Sequence, residues 1–248
     1  MSNFIIKPNL PEGMVSALIC GGLNAELINF FRSRDIDIFF SDENKTADKA
    51  VSKHVDLAAL YVGDGRIVVD KGQKRLISEL ISSGLSVCES SSEVTGNYPD
   101  DCILNHTIIG SSIIGNSRLF DESVKAECKS LSLIHTNQGY CKCSVLVVDD
   151  NSVITDDVSI ARVSAKTGIN CLLISKGDVF LDGHEYGFIG GTGGKISKDE
   201  IIFFGDITKH RDYEKIKQFL TERNIKTISF DFPLTDFGGI IPLKEKDL

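Results

Sequence analysis

The chain repeats one pattern five times, and this repetition constrains the fold more than any other feature of the sequence. Each copy has an apolar strand, a polar turn, a second strand, an amphipathic helix and a last apolar strand. The pattern is clearest in residues 59–90, 143–175 and 193–231, and weaker copies occupy residues 16–40 and 111–135. Similar units at a spacing of this kind indicate a repeat architecture.

The helices are predicted from apolar residues at helical spacing. Tyr213, Ile216, Phe219 and Leu220 recur on one face of a helix in residues 209–223. Three predicted helices end at residues that tolerate a left-handed backbone, Gly84, Gly168 and Asn224. The strands after the helices are predicted to begin near residues 36, 85, 131, 169 and 225. Because these strands are short and nearly all apolar, we expect them to be buried on both faces.

An alternating β/α pattern is also typical of a doubly wound open sheet. That fold usually carries a phosphate-binding motif, and neither GxGxxG after a first strand nor GxxxxGK[ST] occurs here. A closed ring of units explains the repeat better and leaves no exposed sheet edge. We therefore predict a single α/β domain over residues 1–248, with units at approximately 14–50, 57–100, 101–142, 143–192 and 193–248.

The amino-acid composition indicates which classes of binding partner are expected. The net charge of −8 argues against a nucleic-acid binder, which needs a basic surface, and it suits a cationic small ligand. No apolar run reaches the ~20 residues of a membrane span, and the N-terminus does not resemble a signal peptide. The seven cysteines are scattered in mostly apolar surroundings, so we expect reduced thiols in a cytoplasmic protein.

Three segments resemble motifs of the pentein, or guanidine-modifying enzyme, fold family. That family includes arginine deiminase, agmatine deiminase, dimethylarginine dimethylaminohydrolase, the amidinotransferases and a non-enzymatic ribosome anti-association factor. The segments are HTNQGYCKCSVLVVDD (135–150), GDVFLDGHEYGFIGGTGG (177–194) and DFGGIIPL (236–243). The resemblance implies a five-bladed α/β propeller of ββαβ repeats with pseudo-fivefold symmetry. It also implies a guanidino- or ureido-type ligand, with no cofactor and no metal.

The last segment departs from the family pattern at one position. In the enzymes a twin glycine turns the backbone into the central channel, and a nucleophilic cysteine follows three residues after the second glycine. Here Gly238 and Gly239 are present, but Pro242 stands in the cysteine position and no cysteine follows Cys171. A proline cannot form a covalent adduct with the ligand. The resemblance therefore implies that the two glycines still contact a ligand without the usual nucleophile beside them.

The resemblance assigns further roles to a histidine and two carboxylates. His135 ends an apolar strand at the place of the family's acid–base histidine, although such a residue can equally bond to backbone. The sequence around Asp178 resembles the family motif that contains the guanidinium-binding carboxylate. The alternative is that Asp178 forms a turn with Gly177. Asp236, immediately before the twin glycine, is predicted to line the channel or else to cap a turn.

The Cys141-Lys142-Cys143 segment allows two kinds of chemistry. A zinc site is disfavoured because the spacing is not Cys-x₂-Cys and further ligands are missing. If the segment is a strand, Cys141 and Cys143 share a face, and either could be a displaced nucleophile activated by Lys142. The alternative is inert packing in a buried strand. Tyr140 and Lys142 are also predicted to contact substrate.

Five further residues complete the prediction. Asn105 stands where the enzymes carry a carboxylate, and Glu185 is placed at the channel mouth. Histidines without a partner at a recognisable spacing are predicted to lie on the surface, and these are His54, His184 and His210.

The favoured hypothesis for function is a non-catalytic or chemically diverged small-molecule binder. The alternative is a hydrolase of C–N bonds in guanidino or amidino compounds, with His135, carboxylates and Cys143 or Cys141 at its site. RNA or ribosome binding is the least favoured because the chain is acidic. The sequence leaves monomer and homodimer both open.

Overall fold

The computed structural model describes residues 2–247, and sixteen strands within them form five separate sheets. The strands are β1 (Ser2–Phe4), β2 (Val15–Cys20), β3 (Asp37–Phe40), β4 (Ala59–Gly63), β5 (Arg66–Val69), β6 (Ser86–Glu89), β7 (Thr107–Ile109), β8 (Ser112–Gly115), β9 (Ser132–His135), β10 (Val145–Asp149), β11 (Ser152–Thr155), β12 (Asn170–Leu173), β13 (Gly193–Ser197), β14 (Glu200–Phe203), β15 (Lys226–Ile228) and β16 (Ile240–Lys246).

Helices connect and precede these strands. They are α1 (Ala25–Ser33), α2 (Val55–Ala58), α3 (Lys74–Ser82), α4 (Glu122–Glu127), α5 (Cys141–Ser144), α6 (Val158–Thr167) and α7 (Tyr213–Thr221), with 3-10 helices at Ile189–Thr192 and Ile207–Lys209. The longer helices α1, α3, α6 and α7 each bury one apolar stripe, as their periodicity predicts. No helix within residues 2–247 is long and apolar enough to cross a membrane.

Four sheets share one topology, which confirms the repeated unit. In β4–β5–β6, β7–β8–β9, β10–β11–β12 and β13–β14–β15, the first two strands are antiparallel. The third strand follows a helix and is parallel to the second. The strands after the helices begin at residues 37, 86, 132, 170 and 226, each one residue after the predicted start.

The first sheet is completed by the C-terminal strand. Its order is β1–β16–β2–β3, with β16 antiparallel to both of its neighbours and β3 parallel to β2. β16 therefore takes the place that the first strand has in the other four sheets. Pro242 lies within it, opposite Leu18 of β2.

The three predicted helix-ending residues have left-handed backbones. Gly168 is the C-terminal cap of α6 with φ +78°, and Gly84 and Asn224 have φ +93° and +56° just beyond α3 and α7. The prediction that the strands after the helices are buried on both faces is wrong. They lie at sheet edges with one neighbour each, so Leu133 and Leu173 are 50% and 42% exposed. The buried strands are instead the middle strands of the sheets, and all four residues of β11 are buried.

First strands of different units lie against one another. β10 lies against β7 and β13, and β16 lies against β13 and β4. A short turn or helix precedes each of several first strands, including α2 before β4 and α5 before β10. These entry segments carry the side chains of the candidate site.

Candidate functional site

One cavity of about 490 Å³ opens where entry segments from several units meet. Its walls come from residues 47–57, 96–101, 140–143 and 181–188, together with Asp236. Its volume lies within the roughly 300–1,000 Å³ that is typical of small-molecule sites. We call it the site cavity.

Three chain segments deliver polar side chains to its floor. His54 lies immediately before α2, Cys143 lies in α5, and Asp236 lies just before the turn into β16. Each segment leads directly into the buried first strand of a sheet, so the sheets fix the positions of these side chains. The residues are far apart in sequence, and the fold brings them together.

His54 lies between two buried carboxylates. Its Nδ1 is 3.7 Å from Oδ1 of Asp236 and 3.9 Å from Oδ1 of Asp56. The three residues are 6%, 3% and 1% exposed, respectively. Asp236 is held by backbone donors, because the amides of Phe188 and Gly238 donate to its two oxygens at 2.9 Å. These bonds leave lone pairs for a ligand or for His54.

Asp56 is the least satisfied of these groups. No hydrogen bond to either of its carboxylate oxygens is formed within residues 2–247. Burial raises the pKa of Asp56 to about 6 and Asp236 acts in the same direction, whereas His54, the nearby Cys143 thiol and Lys142 lower it. A buried carboxylate without donors is costly unless a proton or a cation compensates its charge.

Cys143 is a neutral thiol in this environment. Burial, followed by the carboxylates of Asp56 and Asp236, raises its pKa well above the usual value. Asn105 donates from Nδ2 to the Cys143 sulfur at 3.0 Å, and the same amide donates to the Asp56 carbonyl oxygen at 2.8 Å. The backbone amide of Lys142 donates to Oδ1 of Asn105 at 2.7 Å. The fully buried Asn105 therefore fixes α5 against the segment that carries Asp56.

Lys142 lies behind the cavity floor and is 8% exposed. Burial lowers its pKa, while Asp56 and Cys143 act in the opposite direction. It therefore supplies a nearby positive charge that offsets part of the charge on Asp56.

Four aromatic side chains form a continuous row along the cavity wall. This aromatic row consists of Tyr98, Tyr140, Phe188 and Tyr186. Successive ring centroids are 5.9, 6.1 and 6.3 Å apart. The Tyr140 hydroxyl donates to Oδ2 of Asp101 at 2.6 Å, and burial together with that carboxylate raises the pKa of Tyr140.

The twin glycine allows a close backbone approach behind the site. Gly238 and Gly239 have φ +80° and +66°, a conformation that L side chains rarely adopt. A Cβ atom on Gly238 would lie 2.7 Å from the Cα of His54, and one on Gly239 would lie 2.7 Å from the Gly190 carbonyl oxygen. A Cβ on Gly191 would overlap the Asp236 carboxylate. The absence of a Cβ at these glycines lets the backbone behind the cavity wall pack closely against the site residues.

The structure places most of the predicted site residues at the cavity. Asp236, Cys143, Tyr140 and Glu185 line it, with Glu185 exposed at the rim. Asn105 and Lys142 lie directly behind the floor, and Gly238 and Gly239 support it.

Two predicted catalytic residues lie elsewhere. His135 is exposed at the end of β9, where its Nδ1 is 3.0 Å from the Ser117 hydroxyl. Asp178 accepts two bonds from the Arg211 guanidinium, at 2.7 and 2.8 Å, and this contact lowers its pKa to about 2. Neither residue lines the site cavity.

The sequence analysis missed His54 and Asp56. The prediction that His54 and His210 lie on the surface is wrong, because they are 6% and 3% exposed, whereas His184 is exposed as predicted. The signal for His54 is a His-x-Asp pair in the short segment before an apolar first strand, where His54 precedes α2 as Tyr140 precedes α5. The strand predicted for residues 141–143 is also wrong, since Cys141–Ser144 is one helical turn.

The described residues hold no group of three or more His, Cys, Asp or Glu side chains that is suited to a metal ion. Cys141 is buried and donates from Sγ to the Gln138 carbonyl oxygen at 3.1 Å, and burial raises its pKa. It does not line the cavity, so Cys143 is the thiol that a ligand can reach.

Solved structures with this arrangement of small sheets are pentein-fold enzymes. An inosamine-phosphate amidinotransferase from Streptomyces griseus is 9% identical, with a TM-score of 0.62 over 100% of this chain and 98% of that one. An amidinotransferase of the saxitoxin pathway from Microseira wollei is 10% identical, with a TM-score of 0.61 over 98% of both chains. The C. jejuni agmatine deiminase with substrate bound is 12% identical, with a TM-score of 0.56 over 93% and 91%.

These similarities establish a mixed α/β fold of the pentein, or guanidine-modifying enzyme, class. Residues 18–241 match DUF6873, a family of unknown function, and the chain belongs to that family. A comparison with curated proteins found no match.

Proposed function

We propose that this protein binds a small molecule with a guanidino or amidino group in the site cavity. One observation carries the proposal: two buried carboxylates lie within 4 Å of Nδ1 of His54, Asp236 on the cavity lining and Asp56 behind it. Their negative charge favours a cation, and planar, delocalised cations match carboxylate geometry and stack on aromatic faces. The aromatic row supplies such faces along the wall.

We further propose that the five sheets form a closed five-bladed propeller over one domain, with the first strands around its axis. The contacts of β10 with β7 and β13, and of β16 with β13 and β4, support this arrangement. The amidinotransferase structures above support it too, since they cover nearly the whole chain. The seven free cysteines suit a reducing compartment such as the cytoplasm.

A second function, hydrolysis of a C–N bond in the ligand, is favoured by the position of Cys143 on the cavity wall. In the proposed reaction the Cys143 thiol gives its proton to His54 and its sulfur bonds to the central amidino carbon. The C–N bond to the leaving amine then breaks, and His54 passes the proton to that amine. Water then adds to the same carbon and releases the thiol and a ureido or amide product. The displaced cysteine would replace the one that Pro242 excludes.

The raised pKa of Cys143 is compatible with this chemistry once a cation is bound. Burial is the main cause of the raised pKa, and the charges of Asp56 and Asp236 come next. A guanidinium or amidinium beside those carboxylates offsets their charge, which favours the thiolate. The free protein therefore keeps an unreactive thiol, and the ligand itself promotes the reactive form.

Isothermal titration calorimetry with agmatine, guanidine and amidine compounds tests the binding proposal. We expect Asp236→Asn to weaken binding by about tenfold or more, because one charged partner of a ~1–3 kcal/mol interaction is lost. The matched control is Asp178→Asn, which removes a carboxylate outside the cavity and should leave affinity unchanged. Absence of binding to every guanidino and amidino compound would refute the proposal.

The catalytic proposal has its own test. Cys143→Ala should bind the cation but release no amine, whereas Cys141→Ala should retain turnover because Cys141 does not line the cavity. Amine release by Cys143→Ala at the wild-type rate would rule out Cys143 as the nucleophile, whereas binding without turnover in the wild type would leave binding as the function.

A further inference from the structure

The site cavity is acidic without any fixed positive charge on its walls. Asp48, Asp101, Glu185 and Asp236 line it. Within the part of the chain that the structure describes, no lysine or arginine side chain lines it, and its two histidines are the only cationic candidates. A ligand carboxylate would therefore lose its hydration and meet carboxylates of like charge.

The aromatic row is much larger than an amidinium group needs. Phe188 lies at its centre, between Tyr140 and Tyr186, with ring planes inclined at 30° and 88°. This arrangement leaves faces and edges for a further flat group, since aromatic rings prefer offset or edge-to-face contact. The outer ring already accepts a cation, because Lys176 Nζ lies 5.7 Å from the Tyr186 centroid.

We propose that the ligand is an amidine or guanidine joined to an aromatic or similarly flat apolar body and that it carries no carboxylate. This inference rests on the proposed binding function and specifies its ligand class. The amidinium lies at the floor near Asp236, and the flat body extends along the aromatic row towards the rim at Glu185. Free arginine, which has a carboxylate and a flexible chain, fits this cavity poorly.

Two pairs of compounds separate the two parts of the inference. Benzamidine and acetamidine share the amidinium and differ in the aromatic ring. The compounds 4-amidinobenzamide and 4-amidinobenzoate share their shape and differ in one negative charge. By calorimetry we expect benzamidine to bind about tenfold or more tightly than acetamidine, and the benzamide about tenfold or more tightly than the benzoate.

Matched variants attribute these preferences to named side chains. Phe188→Leu should reduce the benzamidine preference about tenfold and leave acetamidine affinity unchanged, whereas Phe180→Leu, at an exposed phenylalanine outside the cavity, should change neither. Glu185→Lys should restore binding of 4-amidinobenzoate. Asp182→Lys, on an exposed residue of the same loop that does not line the cavity, should not.

The outcomes distinguish this inference from the proposed function. Equal affinity for benzamidine and acetamidine, or for the benzamide and the benzoate, would overturn the inference while amidine binding itself stands. Tighter binding of arginine than of benzamidine would overturn it as well. Failure of all amidines and guanidines to bind would overturn the proposed function, and the inference with it.

Discussion

Replacement of Gly238 by alanine should destabilise the protein more than its backbone conformation alone predicts. At φ +80° an L residue costs about 1–2 kcal/mol. The new Cβ would also lie 2.7 Å from both Cα and Cβ of His54, and overpacking of that kind costs roughly 1–3 kcal/mol. We therefore expect the free energy of unfolding to fall by about 3 kcal/mol.

Gly183 provides the matched control. Its φ is +71°, but a Cβ there would have no atom within 4 Å. Gly183→Ala should therefore lower the free energy of unfolding only by the conformational cost, about 1 kcal/mol. The change in the entropy of the unfolded chain is the same for both variants.

Urea unfolding followed by circular dichroism gives both free energies. If Gly238→Ala and Gly183→Ala lose the same stability, the close approach of the twin glycine to His54 does not constrain the fold. If Gly238→Ala loses clearly more, the steric argument holds. The same variant should also weaken benzamidine binding, because His54 must move away from Asp236 to make room.

Three further predictions follow from the ionisable groups. The rise in the pKa of Asp56 from 3.8 to about 6 means that its ionisation destabilises the folded state. The wild type should therefore lose about 3 kcal/mol of unfolding free energy relative to Asp56→Asn as pH rises from about 3 to about 7, and equal urea-unfolding profiles across that window would contradict this. In the free protein at pH 7, iodoacetamide should label the half-buried Cys88 well before the protonated Cys143, and peptide mass spectrometry showing the reverse order would contradict the raised thiol pKa. Arg211→Ala should leave ligand affinity unchanged, because it breaks an ion pair with Asp178 that lies outside the site cavity. A loss of ligand binding in the calorimeter would show that Asp178 belongs to the site.

The sequence predicted the repeated unit because its signals are local. Apolar period, helix-ending glycines and the order of strands within a unit depend on neighbouring residues, so the starts of β3, β6, β9, β12 and β15 could be predicted to within one residue. The insertion of β16 between β1 and β2 could not be predicted in this way. It pairs residues from opposite ends of the chain and depends on the geometry of the whole molecule.

The candidate site likewise contains some residues that local sequence signals identify and others that depend on long-range contacts. Asp236 and Cys143 could be proposed from their positions beside the twin glycine and in an entry segment. His54 is predicted to lie on the surface because a single His-x-Asp pair is too short a pattern to indicate a site, and its second carboxylate, Asp236, is far away in sequence. His135 and Asp178 are predicted as site residues because the sequence around each resembles a family motif. In a repeat, however, similar short sequences recur in more than one unit. Only the three-dimensional arrangement decides which copy faces the cavity.

The position of β16 in the first sheet also determines the order in which the sheets can form during translation. The middle units can form as they leave the ribosome, whereas β2 keeps an unpaired edge until residues 240–246 have emerged. Asp236 reaches His54 in that same final step. A nascent chain therefore carries no complete site, and pairing of such distant segments makes this step a slow one. Ligand recognition therefore requires that the segment carrying Asp236 and β16 has been synthesised.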